Sequence, residues 1–148
     1  MLDKWDCRFL RLAEFISSWS RDPSKNVGAV IVDQKKRIVS LGFNGFPRGV
    51  DDDHRLNDQN LKNEIVIHAE INALLFANKD VQGCTLYVWP IPPCSRCAAQ
   101  IIQSGIARVV APYIEEADRW KASVQLGRDV LDEGGVHTDY VPKGFVHE

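Results

Sequence analysis

Ile67-His68-Ala69-Glu70 and, further on, Pro92-Pro93-Cys94-Ser95-Arg96-Cys97 are the stretches around which this chain is organised. One imidazole and two thiols form a donor set suited to zinc, and three protein ligands plus a water is the arrangement of catalytic rather than structural sites. Both stretches read as helix starts. Pro93 fits a first-turn position, and Ala98-Ala99-Gln100-Ile101-Ile102 continues in helix-forming residues. Cys94 and Cys97 then stand at i and i+3 on one face, where the positive helix end favours the thiolates a metal needs. His68 and Glu70 are two residues apart and do not face each other on a helix, so Glu70 is not a fourth ligand. It is placed to approach a metal-held water from the side, accept its proton and pass it to a leaving group. Zinc brings such a water near neutrality, so a nucleophile is available.

The bland alternatives are a structural zinc, or two unrelated thiols near a buried histidine. A structural zinc normally takes four protein ligands, and the sequence offers no evident fourth. Cys7 and Cys84 are isolated and read as small core residues. His54, His137 and His147 have no partner at metal spacing.

At 148 residues the chain is long enough for a real core and reads as one domain over 1–148. With 45% apolar and 26% charged residues it has the composition of a soluble globular protein. The formal charge is -2, and Lys35-Lys36-Arg37 is the longest basic run, which weighs against a nucleic-acid polymer as partner. A mononucleotide needs only one or two cations. The cysteine usage points to a reducing compartment. With no signal-peptide pattern and no apolar run of spanning length, the expectation is a cytoplasmic protein without a membrane partner.

Residues 3–19 carry apolar side chains at helical period, with Arg8, Arg11 and Glu14 outward. Pro23 ends that pattern. Residues 27–32 read as a buried strand, 33–36 as a hairpin turn and 37–43 as its antiparallel partner. Small Gly28 and Ala29 read two ways, as close packing of strand on helix or as room for a planar base to approach the backbone. Residues 42–49 form a glycine-rich loop, and 51–63 a polar surface loop ending in a short helix. From His68 a helix runs to about residue 78, with Ile71, Leu74, Leu75 and Phe76 toward the core. Residues 85–89 form the next strand, and Gly105 stops the second metal helix. Strands follow at 106–111 and 135–141. Between them a helical pattern with Trp120, Val124, Leu126, Val130 and Leu131 reads as a crossover, so the last two strands are parallel. The fold class is α/β: a five-stranded mixed sheet in three α-β-α layers.

H-x-E followed by P-C-x-x-C, with Val27-Gly28-Ala29-Val30-Ile31-Val32 and Gly42-Phe43-Asn44-Gly45-Phe46-Pro47-Arg48-Gly49, resembles the deoxycytidylate deaminases of the zinc-dependent cytidine and deoxycytidylate deaminase superfamily. The resemblance runs from about residue 17 to 110. It implies the cytidine-deaminase-like fold and hydrolysis of dCMP to dUMP and ammonia, supplying dUMP for thymidylate synthesis. It implies one zinc per chain on His68, Cys94 and Cys97, with Glu70 as proton carrier. Substrate contacts are implied at Asn44, on the sugar, at Ala69 and at Tyr113, near the phosphate. Lys25 stands one place before the position where relatives carry a basic residue; here that position is Asn26. Gly42, Phe43, Asn44 and Gly45 correspond to a loop tied to a nucleoside triphosphate effector, with Mg2+, although Phe43 replaces a common tyrosine. Self-association as a dimer or hexamer is also implied. Within the same chemistry, cytosine, cytidine, dCTP, C5-modified dCMP, guanine and a tRNA adenosine stay open; outside it, a non-catalytic nucleotide sensor.

Overall fold

Asp3 starts the first helix. Its carboxylate accepts from the backbone N–H groups of Trp5 and Asp6, and Asp6 returns the bond to the Asp3 N–H, which satisfies donors a helix start leaves open. In this computed structural model, residues 2–114, 121–142 and 144 are described. The elements in chain order are α1 (Lys4–Ser17), β1 (Gly28–Val32), β2 (Ile38–Phe43), a 3-10 turn (His54–Asn57), α2 (Gln59–Ile65), α3 (Ala69–Phe76), β3 (Thr85–Trp89), α4 (Ser95–Ser104), β4 (Arg108–Pro112), α5 (Lys121–Glu133) and β5 (His137–Val141).

The strands form one sheet in the order β2-β1-β3-β4-β5. β1 pairs antiparallel with β2 and β3, while β3, β4 and β5 run parallel. The hairpin turn falls at Asp33 to Lys36, whose N–H donates back to the Asp33 carbonyl. The last two strands are parallel, as the crossover length requires, and α5 makes the connection. The β3–β4 pair is parallel for the same reason, with α4 as its crossover.

Alternate residues of the buried strands feed opposite faces of the sheet. Val30, Val32, Tyr87 and Val110 meet Phe9, Leu10 and Ala13 of α1 on one face. Ala29, Ile31, Leu86, Val88 and Val109 meet Ala69 and Ala73 of α3, Ala98 and Ile101 of α4 and Leu131 of α5 on the other. The result is the three-layer α-β-α architecture.

Two apolar residues expected in the core, and Leu126 from the crossover pattern, are on the surface. Leu75 is 66% exposed, Phe76 53% and Leu126 54%. α3 meets β2 through small residues, Ala69 and Ala73, one helical turn apart, and Leu75 lies off that stripe. Phe76, the last residue of the helix, is covered on its ring by the Arg48 guanidinium at 5.3 Å. In α5 the buried stripe is Val124, Gly127 and Leu131, with Leu126 on the reverse side. Trp120 lies outside the described residues.

Candidate active site

Two helix starts converge on one point. Ile67 exchanges backbone hydrogen bonds with Gly45, at 2.8 and 3.1 Å, which fixes the chain as it enters α3. His68 then takes the N-cap position of α3, and Cys94 the N-cap of α4, both with extended backbone. Pro93 therefore sits just outside the helix rather than in its first turn, because Cys94 occupies the cap. Cys97 is in the first turn, and the Ala98 N–H bonds the Cys94 carbonyl at 2.9 Å, closing that turn.

The ligand atoms of His68, Cys94 and Cys97 all lie within 4.8 Å of one another. His68 Nδ1 is 3.2 Å from Cys97 Sγ and 3.5 Å from Cys94 Sγ. Among the described residues this is the one cluster of its kind. An imidazole and two thiols at mutual contact fit a zinc ion with a fourth position left for water. The thiols are unequal: a hydrogen bond from Cys97, aided by His68, brings Cys94 down to about 4. The same bond, with burial, pushes Cys97 upward. A metal on this cluster needs both sulfurs as thiolates, so its binding would release protons.

Glu70 is 4% exposed. Burial raises its carboxyl to about 7, against the pull of the neighbouring His68 charge. It lines an open cleft together with His68, Ala69 and Cys94. Val27, Val66, Ile91 and Pro92 form the apolar part of the wall. Asp22, Ser24, Lys25, Asn44, Gln59, Lys62 and Asn63 make the rest polar.

The other residues singled out in the sequence divide. Ala69 and Lys25 line the cleft. Asn44 lines it too, but its amide is held by protein: Oδ1 accepts from the Val27 N–H at 2.9 Å, and Nδ2 donates to the Lys25 carbonyl at 2.8 Å and toward Asp22 Oδ2 at 3.4 Å. Oδ1 keeps one lone pair beyond that bond.

Gly28 is not at the cleft. A Cβ there would stand 2.0 Å from the Ala13 carbonyl oxygen, so close packing on α1 accounts for it. Gly42 likewise faces the α3 backbone, where a Cβ would stand 2.4 Å from the Ala73 nitrogen and 2.5 Å from the Ala69 carbonyl oxygen. Phe43 packs edge-on against Trp19 at 6.0 Å. Gly45 is engaged with Ile67. Tyr113 is 52% exposed and borders a separate hollow with Arg128 and Tyr140 that meets the cleft's lining at Pro92. His54 and His137 stand apart from the metal cluster, each beside an aspartate; His147 lies outside the described residues.

Sequence reasoning missed Asp22 and Lys62. Asp22 reads as part of a helix-breaking Arg-Asp-Pro run, and Lys62 as a solvated charge in a polar segment. The one local signal is Asp58, whose carboxylate caps α2 by accepting from Asn60 and Leu61; a firm helix start there would have given Lys62 a face.

Comparison with known proteins agrees with this geometry. The family model described as the cytidine and deoxycytidylate deaminase zinc-binding region matches residues 3–112. An uncharacterised deaminase of Aliivibrio fischeri is 44% identical over 144 residues, covering 96% of this chain and 97% of the relative. The deoxycytidylate deaminase of Pongo abelii is 36% identical over 148 residues, covering 95% of this chain and 82% of the relative. The crystal structure of dCMP deaminase from cyanophage S-TIM5, in complex with dCMP and dUMP, superposes with a TM-score of 0.78 at 26% identity, covering 95% of this chain and 99% of that one. With the histidine and both cysteines gathered at two helix starts inside the matched region, the chain belongs to the cytidine and deoxycytidylate deaminase family.

Proposed function

We propose that this protein hydrolyses dCMP to dUMP and ammonia, with zinc on His68, Cys94 and Cys97 and with Glu70 moving the protons. The observation that carries the reading is the cleft's lining: a buried carboxyl and two of the three metal donors share it with polar residues that include Lys25 and Lys62. A pyrimidine suits the carboxyl and the metal donors, and a sugar phosphate the polar residues. The relatives named deoxycytidylate deaminase and the cyanophage enzyme in complex with dCMP and dUMP support the substrate.

Zinc, when bound, supplies the Lewis acidity that makes a water nucleophilic near neutral pH. Glu70 accepts the proton lost from that water and delivers it to N3 of the ring. It then takes the proton of the new C4 hydroxyl and passes it to the 4-amino nitrogen as the C4–N bond breaks, so water and dCMP become dUMP and ammonia. Ala69, with a single methyl group, lets the base lie close to the start of α3. Val27, Ile91 and Pro92 keep bulk water from the ring. Asn44 Oδ1 accepts a sugar hydroxyl, and Lys25 stands on the polar wall to meet the phosphate.

Self-association is part of the same reading, supported by exposed Phe15, Trp19, Ile38, Leu75 and Phe76. So are a cytoplasmic location, in keeping with the absence of any helix long and apolar enough to cross a membrane among the described residues, and a triphosphate effector with Mg2+ at residues 42–45, supported by resemblance of the loop. The test is ammonia release from cytosine, cytidine, dCMP and dCTP in parallel, each with and without dCTP or dTTP as effector. Selective turnover of dCMP is expected. Full zinc occupancy with no turnover on any of them would favour a nucleotide sensor.

A further inference from the structure

The helix α2 buries one side chain, and that side chain is a lysine. Lys62 is 3% exposed, whereas the apolar Leu61 beside it is 43% exposed. The preceding 3-10 turn buries nothing. A helix docked through a cation calls for an account, because a buried ion pair adds little net stability over an apolar side chain of the same volume.

The partners supply that account. The Lys62 ammonium donates to Asp22 Oδ1 at 2.9 Å and to Ser24 Oγ at 2.6 Å. Asp22 Oδ1 also accepts from the Ser24 N–H at 2.9 Å, the Ser24 hydroxyl at 3.0 Å and the Lys25 N–H at 3.3 Å. Its second oxygen faces Asn44 Nδ2 at 3.4 Å. Asp22 is therefore the hub of the turn that carries Ser24 and Lys25, and it touches the amide that holds the start of β1. Lys62 is the tie between that hub and α2, forty residues on. Both sides of the tie line the cleft: Asp22, Ser24, Lys25 and Asn44 on one side, Gln59, Lys62 and Asn63 on the other.

We propose that Lys62 is a positioning residue for the nucleotide: through Asp22 and Ser24 it fixes α2 and the 22–25 turn against each other, forming the polar part of the cleft's lining. The substrate named in its test rests on the deaminase reading; the geometry does not. The ammonium sets the distance between the two walls, and its bonds go to Asp22 and Ser24 rather than to Glu70 or the metal donors. Its loss therefore weakens binding of the sugar-phosphate portion and leaves the chemical step in place.

The test is Lys62→Met, which keeps the stem and removes the charge. Expected is a KM for dCMP raised by roughly tenfold or more, the scale of one lost charge-assisted hydrogen bond, with kcat within about threefold of the parent. Zinc content should stay unchanged, and amide exchange should speed up across 59–65. Lys62→Arg, which keeps charge and donors, should retain a near-parental KM. Ser24→Ala, at an exposed residue, should shift both readouts in the same direction by less.

Unchanged KM and exchange in Lys62→Met would overturn the proposal, as would a fall in kcat together with lost zinc, or a Lys62→Arg variant as impaired as Lys62→Met. If Lys62→Met does not fold, Ser24→Ala decides, and an unaltered KM and exchange pattern there overturns the proposal. A parent protein inactive on every cytosine nucleotide would defeat the deaminase reading, while the exchange comparison would still test the tie.

Discussion

Glu70 differs from the other buried carboxylates, Asp6, Asp22 and Asp33, each of which meets a lysine or arginine; among the described residues its neighbours are the metal donors and apolar walls. Replacing it with Gln removes the proton carrier and keeps the shape. Turnover of dCMP should fall by roughly a hundredfold to ten-thousandfold, with zinc retained at the parental level by elemental analysis. Retained activity would overturn the role given to Glu70. The four residues His68, Glu70, Cys94 and Cys97 were legible in the sequence because metal chemistry admits few donor types and each pair sits within one turn of helix. Lys62 was not legible, because its partner Asp22 is forty residues away and the Asp58 cap gives Lys62 a helix face without showing what covers that face. Gly28 was half legible: its smallness showed, but only the packed helix decides between a base and a backbone carbonyl as the neighbour. For Tyr113, a strand end gave the position and not the direction, and its ring is half exposed.

At the scale of elements, the site depends on how closely helices approach the sheet. Gly28 admits the α1 backbone on one face, and Gly42 admits α3 on the other. Gly28→Ala would drive a methyl group into the Ala13 carbonyl, 2.0 Å away, with the Ser17 N–H at 2.7 Å. Neither neighbour is a flexible side chain, so the helix must move. A loss of roughly 2–3 kcal/mol is expected in urea unfolding, read as a lower midpoint at unchanged slope. A variant as stable as the parent would mean α1 shifts at no cost. Period and punctuation place β3 at its own bounds and α1, β1, β5 and the start of α4 to within two residues, with Gly105 as the stop of α4 at φ 88. Leu75, Phe76 and Leu126 escape such reading, since periodicity says which residues are apolar and the sheet's extent decides which of them it covers.

At the scale of the whole molecule, buried carboxylates knit distant segments together. Asp6 on α1 receives both guanidinium nitrogens of Arg108 on β4, at 2.9 and 3.1 Å, and the Tyr87 hydroxyl at 2.6 Å. Burial alone raises the Asp6 carboxyl, but the bonds from Arg108, Tyr87 and the Asp3 N–H outweigh it and hold the group below its usual range. Asp22 follows the same pattern: burial raises it, and the Ser24 N–H, Lys62, the Ser24 hydroxyl and the Lys25 N–H together bring it down. Folded values below the unfolded one mean that the folded state holds these groups ionised more strongly than the unfolded chain does. Their contribution is whole above the unfolded value of about 3.9 and is lost as pH falls through the folded values. The urea midpoint should therefore decline on acidification below about pH 4, and Asp6→Asn should flatten part of that decline while lowering the midpoint at neutral pH. A midpoint indifferent to acid would contradict the assignment.

The metal donors also have a meaning for the unfolded chain. His68 lies 26 residues before Cys94 and 29 before Cys97, and all four cysteines are free of disulfides. An ion gripping these residues closes a loop that contains all of α3 and β3 in a chain that has no covalent cross-link. The unfolded chain does not hold the three donors together, so the ion favours the folded state by mass action, worth about 4 kcal/mol at a thousandfold excess over its dissociation constant. Chelation should accordingly lower the thermal midpoint by roughly 10 °C, measured by circular dichroism and reversed on adding zinc back. A cofactor held for hydrolysis would then serve the fold as a removable staple, tying the start of α3 to the start of α4.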